Sequence, residues 1–286
     1  MNVTPDVNLI GRKATQMRLD IVNMIAEAGS GHPGGSLSAA DIVATLYFGV
    51  LRHRPEDPHW DGRDRFVLSK GHAAPVLYAA LADAGYFDRE HLHTLRKLGS
   101  MLQGHPDSKK TPGVEVSTGS LGQGLSIANG ICLGLRMDAN PARVFCLMGD
   151  GELEEGQVWE AAMFAAHNHL RNLTAIIDNN GLQIDGPCND VMCLGDIEAK
   201  FTAFGWTAIS ANGHDVADLL RAFDEAESAR ERTGGPVVIV CKTIKGKGVS
   251  FMEGQAGWHG KAPDAEQTAA ATAELRSAME EGIDRD

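Results

Sequence analysis

Short runs rich in β-branched and aliphatic residues alternate with longer helical patterns through most of this chain of 286 residues. Because each such run is followed by a helical pattern before the next begins, the alternation predicts βαβ crossovers and a mostly parallel sheet. We therefore predict a single-domain α/β fold with helices on both faces of the sheet, and ligands at the carboxyl ends of its strands. The predicted strands cover residues 65–69, 143–148, 173–178, 206–211 and 236–242, and the predicted helices between them cover residues 73–84, 121–138, 152–169 and 215–232.

Further helical segments are expected near both ends of the chain. Residues 7–28 carry apolar side chains at near-helical spacing, which predicts an amphipathic helix. Glycine and proline crowd residues 29–35, which predicts a loop, and a second helix is expected from about Ser38. The alanine- and acid-rich residues from Ala262 onward predict a surface helix that frays at its end.

Charge and composition argue against several classes of ligand and location. Acidic residues outnumber basic ones by 38 to 26, and the formal net charge is −12, so the surface as a whole repels nucleic acid and anionic membrane. No apolar run approaches the roughly 18 residues that span a bilayer, and the first residues lack the apolar core of a secretory signal. The five cysteines form no CxxC pair, which argues against a disulfide framework or a zinc site. We expect a cytoplasmic protein that binds neither nucleic acid nor membrane.

Two successive predicted strands end in turns that suit a metal ion and a diphosphate group. One strand runs into Gly-Asp-Gly at 149–151, and the next runs into Asn-Asn-Gly at 179–181. Asp150 would point its carboxylate into the crevice, Asn180 would offer an amide oxygen, and the glycines would let the backbone approach a ligand. The helix expected after Asp150 would present free N–H groups and its positive dipole end. Together with a backbone carbonyl and two phosphate oxygens, these groups would make a hard octahedral site for Mg²⁺, with Ca²⁺ or Mn²⁺ as alternatives. Either turn alone is more often an ordinary β–α connection, and it is the pair that favours a site.

The paired turns resemble the cofactor motif of the thiamine-diphosphate enzymes, and other stretches resemble the N-terminal domain of transketolases. Those stretches are SGHPGG at 30–35, SKGH at 69–72, QGHP at 103–106, TGSLGQG at 118–124, KTIKGKG at 242–248 and WHGKAP at 258–263. The resemblance implies that residues 1–263 form the diphosphate-binding (PP) domain of that family and that residues 264–286 form a C-terminal helical tail. Ser120 stands where many members carry proline, and we expect little loss because that loop contacts the cofactor through its backbone.

The resemblance also implies a role for individual residues around thiamine diphosphate. Asp150 and Asn180 would bind the metal through their side chains, and Leu182 through its carbonyl oxygen. Ile184 would wedge between the two cofactor rings and enforce the bent conformation in which C2 loses its proton. The residues implied in cofactor binding are His32, His72, Gly119, Ser120, Leu121, Gly149, Asp150, Gly151, Glu155, Asn180, Ile184 and His259.

Four histidines flanked by glycine-rich sequence are implied in catalysis. His32, His72, His105 and His259 would line the entrance to the thiazolium ring, where imidazoles bind substrate hydroxyls and move protons. A single loop histidine is more often an ordinary polar residue, but four in such loops favour a site.

The resemblance also implies a boundary between subunits, with Glu155 and Glu160 as two further residues implied in catalysis. In the family, glutamates at the positions of Glu155 and Glu160 join a carboxylate network at the subunit interface, although acids are also common in a solvated first turn. The glutamate that activates the cofactor belongs to a second, pyrimidine-binding domain, and this sequence ends soon after its last motif. We expect a C-terminal transketolase subunit to supply that domain in an α2β2 assembly, a truncated chain being the other explanation.

The expected function is that of a transketolase subunit, which moves a two-carbon ketol unit from a ketose phosphate to an aldose phosphate with its partner. One alternative is a ketol transferase for an unusual sulfonated or branched sugar. Others are the α subunit of a 2-oxo acid dehydrogenase, which shares the paired turns, and a non-catalytic homologue that only binds the cofactor.

Overall fold

A five-stranded parallel sheet forms the centre of the protein in a computed structural model that describes residues 5–283, with side chains to residue 280. The strands are β1 (Arg65–Leu68), β2 (Val144–Gly149), β3 (Leu173–Asn179), β4 (Thr207–Asn212) and β5 (Val237–Lys242). They lie in the order β1-β2-β3-β5-β4, and every neighbouring pair is parallel. The predicted α/β fold is confirmed, and each predicted strand is correct to within one residue at either end.

Helices cover both faces of the sheet, so that the central strands are buried on both sides. The helices are α1 (Val7–Ala28), α2 (Pro33–Ser38), α3 (Ala40–Thr45), α4 (Ala74–Ala84), α5 (Gln123–Met137), α6 (Gly156–His167), α7 (Cys188–Val191), α8 (Ile197–Ala203), α9 (Val216–Thr233) and α10 (Ala265–Ile283). Leu147 and Ile176 pack into the core beneath α1, α4 and α9, whereas Cys146 and Ala175 pack into the core beneath α5, α6 and α8. Burial on both faces explains why β2 is a continuous apolar run rather than an alternating one.

The first and last helices pack against each other. In α1, the Asp6 side chain accepts a hydrogen bond from the Leu9 N–H at the N-terminus, and Gly29 ends the helix in the left-handed region at φ 63°. Ala271 and Leu275 of α10 are buried in the same core as α1, so the predicted terminal helix is present and buries one side. The fraying predicted for its end falls on residues 284–286, which lie outside the described part, as do residues 1–4 of the domain predicted at 1–263. Within residues 5–283, no helix is both long enough and apolar enough to cross a bilayer.

The loop predicted at residues 29–35 is partly wrong, because α2 already begins at Pro33. Proline suits the first helical position, where its missing N–H costs no hydrogen bond. Gly34 is packed too closely for a side chain, since an added Cβ would lie 2.9 Å from the Trp258 carbonyl oxygen. The helix expected from about Ser38 is likewise two short helices, α2 and α3, followed by a π-helical turn.

The helix predicted at residues 152–169 begins later than expected. A 3-10 turn covers Gly151–Glu154, and α6 starts only at Gly156. The delay arises because the Glu152 side chain turns back towards the sheet and accepts a hydrogen bond from the Gly149 N–H at 3.2 Å. The expectation that Asp150 directly precedes the N-terminus of a long helix is therefore wrong. The backbone N–H groups that follow Asp150 belong to the 3-10 turn instead.

Candidate cofactor and metal site

The Asp150 and Asn180 turns lie side by side at the carboxyl ends of β2 and β3. Gly149 is paired with Asp178 in the parallel register, and the Asp150 N–H donates to the Asp178 carbonyl oxygen at 3.2 Å. The Asp150 carboxylate accepts a hydrogen bond from the N–H of Gly181, the residue after Asn180. A carboxylate and an amide oxygen therefore meet at one edge of the sheet, as the sequence predicts.

A cavity of about 250 Å³ opens above these two turns. It is lined by Gly35, Lys70, His72, Leu121, Gly149, Asp150, Gly151, Glu152, Glu154, Glu155, Asn180, Leu182, Gln183, Ile184, Lys245 and His259. Most of the predicted site residues are among them. The predicted residues that do not line the cavity are His32, His105, Gly119, Ser120 and Glu160.

The oxygen atoms at the cavity floor suit a hard divalent cation. Asp150 contributes a carboxylate, Asn180 an amide oxygen and Leu182 a backbone carbonyl, which is the ligand chemistry that Mg²⁺ prefers. Within the described part of the chain, no cluster of three His, Cys, Asp or Glu side chains is placed to hold a metal. A cation here would therefore need further oxygen ligands, such as those of a diphosphate. Gly151 is required for the close packing of this floor, because an added Cβ would lie 2.8 Å from the Gln183 Cβ.

A buried ion pair supports the floor from below. The Lys70 ammonium contacts the Asp178 carboxylate at 2.5 Å, and both side chains are almost completely inaccessible to solvent. Asp178 also accepts hydrogen bonds from Ser38 at 2.6 Å and from Thr243. Burial alone would raise the pKa of Asp178, but Lys70 and the two hydroxyl groups hold it below its ordinary value. Burial, and to a smaller extent the nearby Asp178 carboxylate, raises the pKa of Asp150 to about 6.

Glu152 joins three loops at the rim of the sheet through one buried carboxylate. It accepts hydrogen bonds from the Ser69 hydroxyl group, from the Gly122 N–H at 2.9 Å and from the Gly149 N–H at 3.2 Å. These donors lie after β1, before α5 and at the end of β2, respectively. Burial raises the pKa of Glu152, and the three hydrogen bonds oppose that rise.

Three of the four predicted histidines form a cluster, and two of them, His72 and His259, line the cavity. The ring centroids of His32, His72 and His259 are separated by 5.1 to 5.4 Å. Burial is the largest cause that lowers their pKa values, to about 4 for His32, to about 3 for His259, and well below the ordinary value for His72. The three imidazoles are therefore neutral at pH 7, each able to donate and to accept a hydrogen bond. The Nδ1 atom of His32 is buried and has no hydrogen-bond partner in the described structure.

The remaining predicted residues lie around this centre. An added Cβ at Gly119 would be 3.2 Å from the His105 ring, so these two residues are neighbours, and burial lowers the pKa of His105. Ser120, Glu155 and Glu160 are exposed. Glu155 borders the cavity, whereas Glu160 lies further along α6 and is not brought to it.

Sequence reasoning missed several charged residues at the site. Lys245 is buried, donates to the Leu182 carbonyl oxygen at 3.1 Å and lies 3.1 Å from Nδ1 of His259. Burial lowers its pKa to about 8, and Lys70 adds to that effect. Lys70 and Lys245 both stand within motifs that the sequence singles out, and Asp178 is a charged residue at the end of an apolar strand. The position of Asp178 in a strand expected to be buried could have indicated an ion pair, since buried charges are paired.

Comparison with known proteins identifies the family. The family model described as "Transketolase, thiamine diphosphate binding domain" matches residues 11–281. The chain belongs to the transketolase family. It is 45% identical over 263 residues to the 6-deoxy-6-sulfo-D-fructose transketolase subunit of Clostridium sp. (strain MSTE9), covering 92% of this chain and 94% of that protein. It is 40% identical over 274 residues to an apulose-4-phosphate transketolase subunit of Phocaeicola vulgatus, covering 96% of each.

The fold matches solved transketolases over part of their length. The crystal structure of transketolase from Campylobacter jejuni superposes with a TM-score of 0.83 at 30% identity, covering 98% of this chain and 48% of that one. The chain thus spans about half of the solved transketolase but nearly all of the two relatives that are named as subunits.

Proposed function

We propose that this chain is the thiamine-diphosphate- and metal-binding subunit of a two-chain transketolase. With a C-terminal partner it would move a two-carbon ketol unit from a ketose phosphate to an aldose phosphate. The observation that carries this proposal is the meeting of Asp150 and Asn180 at one cavity that His72 and His259 also line. Both named subunit relatives are of nearly the same length as this chain, which supports the two-chain arrangement, proposed as α2β2.

The residues of this chain would divide the work between cofactor and substrate. Asp150, Asn180 and the Leu182 carbonyl would hold Mg²⁺, or Ca²⁺ or Mn²⁺, against the diphosphate of the cofactor. When bound, thiamine diphosphate supplies the carbon nucleophile at C2. Its rings would meet residues 119–121, with Ile184 between them. His32, His72, His105 and His259 would hold substrate hydroxyl groups and transfer protons.

The geometry of the cavity supports a partner subunit. Its volume of about 250 Å³ is below the roughly 300–1,000 Å³ of pockets that enclose a small ligand. Ile184 at its mouth is 65% exposed, although an aliphatic side chain that packs between two rings would be buried. A second chain would close the cavity and would supply the pyrimidine-activating glutamate, with Glu155 and Glu160 of this chain at the interface.

Reconstitution tests the proposal. The purified chain with thiamine diphosphate, Mg²⁺, a ketose phosphate and an aldose phosphate should give no transfer until the C-terminal subunit is added. Asp150→Asn should lower cofactor and metal affinity of the pair by roughly 100-fold or more, since even residues behind metal ligands contribute 10- to 100-fold. Asp185→Asn, an exposed substitution nearby, is the matched control. Full activity from the lone chain, or unimpaired cofactor binding by the Asp150 variant, would contradict the proposal.

A second candidate function is ketol transfer to or from an unusual sugar. The relatives at 45% and 40% identity are named for 6-deoxy-6-sulfo-D-fructose and for apulose 4-phosphate. Comparing kcat/KM of the reconstituted enzyme for sulfonated, branched and ordinary phosphorylated ketoses distinguishes the two. A preference for ordinary ketose phosphates by more than about tenfold would reject the second candidate.

Two other interpretations of the sequence have no observation in their favour. A 2-oxo acid dehydrogenase subunit would decarboxylate pyruvate-like donors in the same reconstitution, and a non-catalytic homologue would bind the cofactor without forming a donor adduct. The domain division at residue 263 and the cytoplasmic location stay predictions.

A further inference from the structure

Lys245 makes two side-chain contacts at the cavity, one with a backbone carbonyl group and one with a histidine ring. Its ammonium group donates to the Leu182 carbonyl oxygen at 3.1 Å, on the floor, and approaches Nδ1 of His259 at 3.1 Å, on the rim. The carbonyl oxygen of Leu182 is also the third protein ligand proposed for the divalent cation. One oxygen atom is therefore a partner for two different positive charges.

The backbone on either side of this lysine is held by hydrogen bonds, so a change of partner by its ammonium group requires movement of the side chain alone. The Ile244 N–H donates to Nε2 of His214 at 2.8 Å, and Nδ1 of His214 contacts the Asp41 carboxylate at 2.7 Å. On the other side, the Gly246 N–H donates to the Gly34 carbonyl oxygen at 3.0 Å. Four methylene groups separate the fixed backbone from the charge.

An ammonium group and a divalent cation on one carbonyl oxygen repel each other, and burial strengthens that repulsion. Asp150 is the one carboxylate among the proposed ligands, and it cannot neutralise both charges. A diphosphate group adds two or more negative charges at the same place, and it can accept hydrogen bonds from the ammonium group while it binds the metal.

We propose that Lys245 competes with the divalent cation for the carbonyl oxygen of Leu182 until a diphosphate group draws the lysine away. This rests on the proposed function, because it takes Asp150, Asn180 and Leu182 as the metal ligands. The lysine is then a positioning residue that makes metal and cofactor binding cooperative. Since coupling between two ligands is reciprocal, each ligand strengthens the other by the same factor.

Lys245→Met tests the competition, because it keeps the length of the side chain and removes its charge. Mn²⁺ binding to the full chain is measured by electron paramagnetic resonance, without and with saturating thiamine diphosphate, and cofactor binding by calorimetry. In the variant, Mn²⁺ alone should bind about tenfold more tightly, within the roughly 5- to 150-fold range of coupling between sites. Thiamine diphosphate should bind more weakly, and its enhancement of Mn²⁺ binding should shrink.

Opposite changes in the two affinities separate competition from a merely structural role. Lys242→Met is the matched control, since that lysine is exposed three residues earlier and does not line the cavity, and it should alter neither affinity. If thermal melting shows that Lys245→Met is unfolded, Lys245→Gln takes its place. Mn²⁺ affinity that is unchanged or weakened in the folded variant, or undetectable in variant and wild type alike, would overturn the proposal. Failure of ketol transfer in the reconstituted enzyme would instead reject the proposed function, while tighter Mn²⁺ binding by the variant would still support the competition.

Discussion

The floor and the outer side of the candidate site differ in how completely their groups are satisfied. On the floor, Asp178 is fully buried and has three partners from different parts of the chain. On the outer side, Ile184, which lines the cavity, is 65% exposed. The floor is thus fully paired within this chain, whereas Ile184 is left uncovered, as the proposed partner subunit would require.

The largest effect is expected where the floor is broken. Asp178→Asn removes the charge that compensates the buried Lys70, and an uncompensated buried charge costs roughly 3–5 kcal/mol. We expect a loss of that size in the free energy of unfolding, measured by urea denaturation. Asp218→Asn breaks an exposed ion pair with Arg221 and should cost about 1 kcal/mol or less. Equal losses of unfolding free energy in the two variants would show that the buried ion pair contributes no more to stability than an exposed one.

A smaller effect is expected at the histidine rim, and it depends on pH. The pKa of His32 is about 4 in the folded chain, against an ordinary value of 6.5. Between these values the unfolded chain takes up a proton that the folded chain does not, so stability falls as the pH drops from 6.5 towards 4. In His32→Asn this loss should be smaller by roughly 1–2 kcal/mol, less than the full shift implies because the ring is partly solvated. Denaturation curves at several pH values measure it, and a pH dependence that is the same in His32→Asn as in the unsubstituted chain would contradict this prediction.

The smallest effect on stability is expected at the exposed apolar residues. Phe164, on α6, is 43% exposed, and Phe164→Ser should alter the free energy of unfolding by about 0.5 kcal/mol or less. If α6 faces the partner subunit, the same variant should weaken assembly measured by analytical ultracentrifugation. Met137→Ser, at the far end of α5, is the control for a general gain in polarity. Assembly unaffected by Phe164→Ser would remove this helix from the interface.

Most of the fold could be predicted from the sequence because its signal is local. Burial on both faces makes each central strand a short apolar run, and such runs are visible without knowledge of their neighbours. The helix boundaries that were predicted wrongly depend on tertiary packing. The helix at Pro33–Ser38 forms because Gly34 fits beneath the Trp258 carbonyl oxygen, and the sequence of residues 29–35 alone resembles a loop.

The residues of the candidate site likewise fall into those that the sequence predicts and those that depend on tertiary packing. Asp150 and Asn180 could be placed together because each ends a strand, and parallel strands end at one edge. The pairing of Lys70 with Asp178 spans 108 residues of sequence, and it depends on which strand neighbours which. Lys245 was not predicted because a lysine in a glycine-rich segment usually points to solvent, and its burial depends on contacts with residues distant in sequence, among them Gly34 and Leu182.

The carboxylate of Glu152 has a consequence for how the site responds to its ligands. Three loops donate hydrogen bonds to this single carboxylate, so a displacement of any one of them strains the hydrogen bonds of the other two. A ligand that displaced the segment around Gly122 would thereby also shift the turn that carries Asp150. The segment before α5 and the turn after β2 therefore respond together when either is displaced.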